Sequence, residues 1–256
     1  MSDRLTEIQG QVLTEPRWRI AGSGSHKTWL PKGDAPALST LGHEGIVEWS
    51  PPDRVVVVRA GTTLRDLQAE LAAKDQMIPA LGSGGTVGGL LAMGLPHAAE
   101  ATYGPVRDWV FGMTVLLGDG TVAKVGSRVA KSVAGYDLHR VMVGSRGGLA
   151  LILEANLRTF PLADLPEPWP IHSGSEQWIR RTLRSEFESE VENRNDVVAR
   201  CAATATYVTG LRPERDRPGW WIGPAGQSSP MWSPDLARKI KAAVDPLDRW
   251  EEGWRA

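Results

Sequence analysis

Glycine in this chain is gathered into clusters: Gly22-Ser-Gly-Ser-His-Lys27, Gly82-Ser-Gly-Gly-Thr-Val-Gly-Gly89 and Gly144-Ser-Arg-Gly-Gly-Leu149. Val129-Ala-Lys-Ser-Val-Ala-Gly-Tyr-Asp-Leu-His-Arg140 precedes the last of them. Backbone without side chains can lie close against a ligand or against another stretch of backbone. In a glycine-rich turn, or at the start of a helix, its N–H groups converge on an anion. Gly84-Gly85-Thr86 leading into Val87-Gly88-Gly89-Leu-Leu-Ala-Met93 fits that description. Thr86 is a candidate helix cap, and Gly88 and Gly89 leave room for a phosphate or a ring beside the first turn. A purely structural turn before a packed helix would use the same residues.

Two common phosphate-binding patterns fail. Ala21-Gly-Ser-Gly-Ser-His-Lys-Thr28 nearly spells a P-loop, but Ala21 and His26 stand where glycine is required, and Trp29-Leu-Pro31 follows instead of a helix. A dinucleotide fingerprint starting at Gly22-Ser23-Gly24 lacks its third glycine, and Pro31 and Pro36 prevent the long helix it needs.

The pattern around the clusters is α+β. Ile46-Val-Glu-Trp49 and Arg54-Val-Val-Val-Val-Arg-Ala60 flank a Ser-Pro-Pro-Asp turn and predict a hairpin. Thr62 or Thr63 then caps a helix with Leu64, Leu67 and Leu71 on one face. Met113–Leu117 and Thr121–Val125 predict a second hairpin around Gly118-Asp-Gly120, and Leu149–Phe160 alternates as a strand closing the sheet. Pro161, Pro166, Pro168 and Pro170 then interrupt regular structure and divide the chain into regions 1–161 and 162–256. In the second region Ile179, Leu183, Phe187 and Val191 have helical spacing. A strand around Cys201 (Val197–Val208) and Trp220-Trp-Ile222 follow. A last helix starts at Ser233-Pro234, with Leu236, Ile240 and Val244 as its apolar stripe.

Composition narrows the functional classes. Lys+Arg of 29 balances Asp+Glu of 30, so no cationic stripe argues for nucleic acid. No apolar run approaches the length of a membrane span, and the polar start does not read as a signal peptide, so a cytoplasmic protein is expected. Cys201 is the only cysteine and reads as a small core residue; with five scattered histidines the chain cannot build an iron–sulfur or zinc site alone.

Seven segments occur in an order that resembles the FAD-binding domain of the vanillyl-alcohol oxidase/p-cresol methylhydroxylase (PCMH) type. They are Gly22-Ser-Gly-Ser25, Val55-Val-Val-Val-Arg-Ala-Gly61, Gly85-Thr-Val-Gly-Gly89, Tyr103-Gly-Pro-Val-Arg-Asp108, Gly118-Asp-Gly-Thr121, Val133-Ala-Gly-Tyr-Asp137 and Gly144-Ser-Arg-Gly-Gly-Leu149. Lys131-Ser-Val-Ala-Gly-Tyr-Asp137 looks most like the FAD-binding subunits of bacterial glycolate oxidases. The resemblance implies two α+β subdomains with an extended FAD between them, followed by a reduced cap-like region. It places Gly22, Ser23, Gly24, Ser25 and His26, with Gly84, Gly85, Thr86, Val87, Gly88 and Gly89, along the diphosphate. It places Val133, Ala134, Gly135, Tyr136, Gly144, Gly147, Gly148 and Ile152 along the ribityl, flavin or adenine portions. It also brings Arg107 and Asp108 near the cofactor, although those two read equally well as a solvated salt bridge. The first loop departs from the usual run of glycines at Ser23, Ser25 and His26. The later loop carries Arg146, Gly148 and Ala150 where the family commonly has other residues.

Oxidising a hydroxy acid at a flavin needs a base for the hydroxyl proton and a cation for the carboxylate. His26 is placed to contact phosphate or to tether the flavin, and His97 to face the ring. His139 reads as a surface or packing residue, while His43 and His172 carry no signal. No base-and-arginine pair stands out, because Arg180, Arg181 and Arg184 share a segment with Glu186, Glu188 and Glu190, as on an ordinary solvated face. The resemblance therefore implies an FAD-binding subunit acting beside a second flavin subunit and an iron–sulfur subunit in glycolate oxidation to glyoxylate. A stand-alone flavoenzyme acting on an alcohol or hydroxy acid, and a flavin-free scaffold that binds partners, are the alternatives.

Overall fold

A computed structural model describes residues 3–25, 33–80, 84–94, 103–127, 137–163, 179–182, 198–201, 206–209, 220–222 and 234–250. At its centre lies a five-stranded antiparallel sheet. Strands β3 (Ile46–Ser50) and β4 (Val55–Arg59) form the first expected hairpin, and β6 (Val110–Leu116) and β7 (Val122–Gly126) form the second. Strand β8 (Leu151–Arg158) joins them in the order β3-β4-β8-β6-β7. The strand expected to close the sheet is thus its middle member, paired to Val55–Arg59 on one side and to Val110–Leu116 on the other. Alternation along β8 reports which faces are buried, and both faces are; position within the sheet depends on pairing with distant residues.

Consecutive residues of β8 serve opposite faces. Ile152 belongs to the larger apolar cluster, with Val56, Val58, Leu64, Leu67, Leu71, Leu91, Trp109 and Val115. Leu151 and Leu153 belong to a second cluster with Ile8, Val12, Trp18, Leu38, Leu116 and Trp250. Helices α2 (Leu64–Ala72) and α3 (Val87–Met93) supply the first cluster. Helix α1 (Asp3–Val12) and the parallel pair β1 (Arg19–Ala21) and β2 (Ala37–Ser39) supply the second. Thr63 caps α2 as one of the two expected threonines, its hydroxyl accepting from Asp66 N at 3.1 Å. A short pair, β5 (Gln76–Met77) with β9 (Phe160–Pro161), closes the body beside α2.

The later region departs from expectation in two places. Ile179–Thr182 is strand β10, not the start of a helix; Leu183, Phe187 and Val191 lie outside the described residues. Its helical spacing is equally the every-fourth position of a strand, and antiparallel pairing with two neighbours decides between them. The Cys201 segment is two strands, β11 (Val198–Cys201) and β12 (Thr206–Thr209), folded back on each other. With β13 (Trp220–Ile222) they form a sheet ordered β11-β12-β10-β13. After a five-residue helix α4 (Leu138–Met142) earlier in the chain, the last helix is α5 (Pro234–Val244), close to its expected span. Ile240 and Val244 of α5 pack against the core of the first region, and Trp250 beyond it is fully buried in the second cluster.

Candidate functional site

Three of the glycine clusters are brought together around α3. The first loop leaves β1 at Gly22, where a Cβ would stand 2.7 Å from Thr86 Oγ1, so loop one touches the N-terminus of α3 through bare backbone. At the other end, Gly94 caps α3 in the left-handed region and lies against Gly144, whose N–H donates to Leu91 O at 3.0 Å. Arg146 N donates to Ala92 O at 2.8 Å, and Gly147 rests on Ile20 in β1. Residues 22, 86, 94, 144, 147 and 20 thus close a ring around one short helix. Chain segments more than a hundred residues apart form one backbone-lined surface.

Within that ring the expected anion-binding helix start is already occupied. Val87 N donates to Thr62 O at 2.9 Å, Gly88 N to Ala60 O at 2.8 Å and Gly89 N to Thr86 Oγ1 at 3.2 Å. The room expected beside Gly88 is filled by Ala60, whose Cβ and O would lie 3.0 and 3.1 Å from an added Cβ. Gly88 therefore serves the close packing of α3 on the end of β4. The amides of Val87, Gly88 and Gly89 are spent on the protein's own carbonyls and hydroxyl. The open part of the surface lies one step earlier. A Cβ at Gly24 or at Gly84 would meet nothing within 4 Å, and Gly24 has φ +76, where an L side chain is strained. Ser23, Gly24, Ser25 and Gly84 are exposed, whereas Thr86 is buried. Bare backbone at Gly24 and Gly84, with the small hydroxyl side chains of Ser23 and Ser25 on loop one, fits an anionic group such as the diphosphate of FAD. Gly85, with φ +95, continues that backbone.

The remaining expected residues divide. Arg107 and Asp108 are exposed at a 3-10 turn, and Asp108 Oδ1 accepts from Arg140 Nη1 at 3.2 Å, so the surface ion pair here is with Arg140. Ile152 is buried in the core of β8. Gly148 is buried and ends its loop, its N–H donating to Ser145 O at 2.9 Å. His26, His97, His172, Val133, Ala134, Gly135 and Tyr136 lie outside the described residues.

Two histidines that the sequence left aside are buried. His43 is 2% exposed and His139 5%. Burial holds both below the ordinary histidine pKa, and the Arg59 charge adds to the effect at His43. His139 packs against Gly126, where a Cβ would stand 2.6 Å from its Nδ1. The His43 carbonyl accepts from Gly61 N at 2.9 Å, and a Cβ at Gly61 would run into the Thr40 and His43 carbonyls, which explains that glycine. Sequence reasoning also missed Lys241 and Asp245, a pair almost wholly buried on α5 and just beyond it. Four-residue spacing reads as a solvated ion pair, and only packing turns it inward.

Among the described residues no group of His, Cys, Asp and Glu could hold a metal, and no helix is long and apolar enough to cross a membrane. Residues 14–126 match the model of a family described as FAD binding domain. Over 165 residues the chain is 33% identical to glycolate oxidase subunit GlcE of Escherichia coli K12, covering 62% of this chain and 47% of that protein. It is 31% identical over 145 residues to D-lactate dehydrogenase of Archaeoglobus fulgidus, 56% of this chain and 32% of the relative. It is 32% identical over 119 residues to glycolate oxidase subunit GlcD of Bacillus subtilis, 45% and 25%. The chain spans less than half the length of these curated relatives. Among solved structures, an alkyldihydroxyacetonephosphate synthase superposes with a TM-score of 0.53 at 13% identity, over 73% of this chain and 34% of that one, a likeness of fold. The matched segment carries the first two glycine loops, both hairpins and α3, and the match indicates FAD as the cofactor.

Proposed function

We propose that the chain is the FAD-binding subunit of a glycolate oxidase or dehydrogenase assembly and supports the two-electron oxidation of glycolate to glyoxylate. One observation carries the reading. Gly22, Gly94 and Gly147 let three separated loops close around α3 and leave Gly24 and Gly84 as bare backbone in open space. In this reading Gly22–Ser25 and Gly84–Thr86 hold the diphosphate, with His26 beside them. Val133–Tyr136 and Gly144–Gly148 follow the rest of the cofactor, near Arg107, Asp108 and Ile152. Bound FAD supplies two-electron redox chemistry, and in this reading the sister flavin subunit oxidises the substrate itself. The chain's own part is to fix the cofactor's position and exclude water. Similarity to both GlcE and GlcD supports partnership with a second flavin subunit, and in this reading onward electron transfer falls to an iron–sulfur subunit, since this chain has one cysteine. Residence in the cytoplasm, at the inner membrane only through partners, belongs to the same proposal.

A second reading, a stand-alone FAD-dependent hydroxy-acid oxidoreductase, is favoured by the likeness to D-lactate dehydrogenases. The two differ in one measurement. Purified alone, the protein should be yellow with bound FAD, and glycolate should bleach it anaerobically only after the partner subunits are added. Bleaching without partners establishes the second reading. Colourless protein that takes up no FAD defeats both in favour of a flavin-free scaffold. Gly85→Trp should abolish flavin retention while leaving expression intact, and unchanged flavin content would remove loop two from the site.

A further inference from the structure

The last helix reaches back into a glycine loop through a buried charge. Lys241 Nζ donates to Gly148 O at 2.9 Å, to Trp250 O at 2.6 Å and to Asp245 Oδ2 at 2.5 Å, which uses all three ammonium hydrogens. The Lys241 side chain is 7% exposed and that of Asp245 0%. Asp245 is saturated in turn, accepting from Arg249 N at 3.0 Å and Trp250 N at 2.9 Å. The surroundings are shaped to receive this cluster. A Cβ on Gly118, in the turn between β6 and β7, would run into Asp245 Oδ1 and stand 2.8 Å from Arg249 Cβ. Trp18 N donates to Arg249 O at 2.7 Å, and Arg17 pairs with Asp248 at 2.6 Å, so the same segment is bound to the strand leading into loop one.

Energetics separate two explanations of the pair. A buried ion pair contributes little net stability compared with apolar side chains of the same volume, because desolvation offsets the attraction. What it does supply is direction: three bonds at fixed angles locate the Gly148 carbonyl. Gly148 closes the turn begun at Ser145, and Gly147 beside it rests on Ile20, two residues before Gly22. Placing Gly148 therefore places the 144–148 loop against both α3 and loop one. We propose that Lys241 is a positioning residue for the cofactor, holding the Gly144–Gly148 loop in its FAD-receiving shape from the far end of the chain; this rests on the FAD reading above.

The test is the double variant Lys241→Met with Asp245→Asn, which removes both charges and keeps one acceptor oxygen, enough for one of the Arg249 and Trp250 amides. Hydrogen exchange of the apoprotein over 144–150, its melting temperature, and FAD affinity by fluorescence titration are compared with wild type. Faster exchange confined to 144–150, a melting temperature within a few degrees of wild type, and FAD binding weakened by about tenfold or more support the role. Unchanged exchange overturns it, as does faster exchange with unchanged FAD affinity. Lys241→Arg, which restores charge and donors, should recover most of both signals, and failure to do so counts against a positioning role. If the double variant does not fold, native-state exchange of wild type decides. The 144–150 amides and those of 241–250 should then open together with one denaturant dependence, and independent opening of the loop overturns the proposal. Wild-type protein that binds no FAD defeats the flavin reading by itself and the positioning role with it, an outcome visible before any variant is made.

Discussion

His43 and His139 are core residues whose chemistry is set by what surrounds them. Burial penalises the imidazolium of each and so lowers its pKa in the folded chain. The folded pKa lies below the unfolded value of 6.5, so between the two the unfolded chain binds more protons. Their contribution to stability is complete above pH 6.5 and is lost as the pH falls from there toward the folded values. The melting temperature should therefore drop on acidification from about pH 7 to about pH 5. His139→Gln should flatten part of that slope, and a slope identical to wild type would show that His139 does not titrate on unfolding. Glycines divide by what they face. Gly22→Ala pushes a methyl toward Thr86 Oγ1, 2.7 Å away, and should destabilise the apoprotein by about 1–3 kcal/mol. Gly24→Ala enters open space and carries only the strain of φ +76, about 1–2 kcal/mol, while weakening FAD binding. Urea unfolding of both apoproteins, followed by flavin titration, distinguishes packing glycines from cofactor glycines.

Helix α3 shows how an element can be legible while its purpose is not. Thr86 and the apolar run to Met93 mark its start and body from sequence alone, and the structure ends it at Gly94 in the left-handed region. Nothing local reveals that Thr62 and Ala60 carbonyls take up the first amides, because those carbonyls arrive from the end of β4 by tertiary packing. Thr86→Ala removes the acceptor for Gly89 N and the floor beneath Gly22. A loss of about 1 kcal/mol is expected from the cap, measured by thermal unfolding, with a further loss of FAD affinity because loop one rests on that hydroxyl. Both hairpins, α2 and a cap at Thr62 or Thr63 were equally readable, since period-two alternation, turn residues and leucines on one face are local signals; packing chose Thr63. Ile179–Thr182 was not: four residues of ambiguous spacing take their conformation from partners at Thr206–Thr209 and Trp220–Ile222.

At the scale of the molecule, the first region is finished by the last helix. Trp250 is fully buried among Ile8, Val12, Trp18 and Leu38, and Asp245 and Arg249, just beyond α5, cover the turn at Gly118. Trp250→Ala should cost about 3–5 kcal/mol, read as a shift of the urea midpoint at unchanged slope, with loosening of α1 seen by hydrogen exchange over residues 3–18. An unchanged midpoint would mean that the tail is not part of the cooperative unit. Contacts from Lys241 and Trp250 cross residue 161, where the prolines suggest a division of the chain. By itself the sequence determined the α+β class, the two hairpins, the capped helices and the positions of the glycine loops, because each rests on backbone preference or periodicity within a few residues. Tertiary structure alone decided that Leu151–Arg158 is the central strand, that the amides of α3 are already bonded, and that a lysine near the C-terminus holds a glycine loop ninety residues earlier. Those outcomes depend on which surfaces exclude water together, and no local pattern of side chains encodes that.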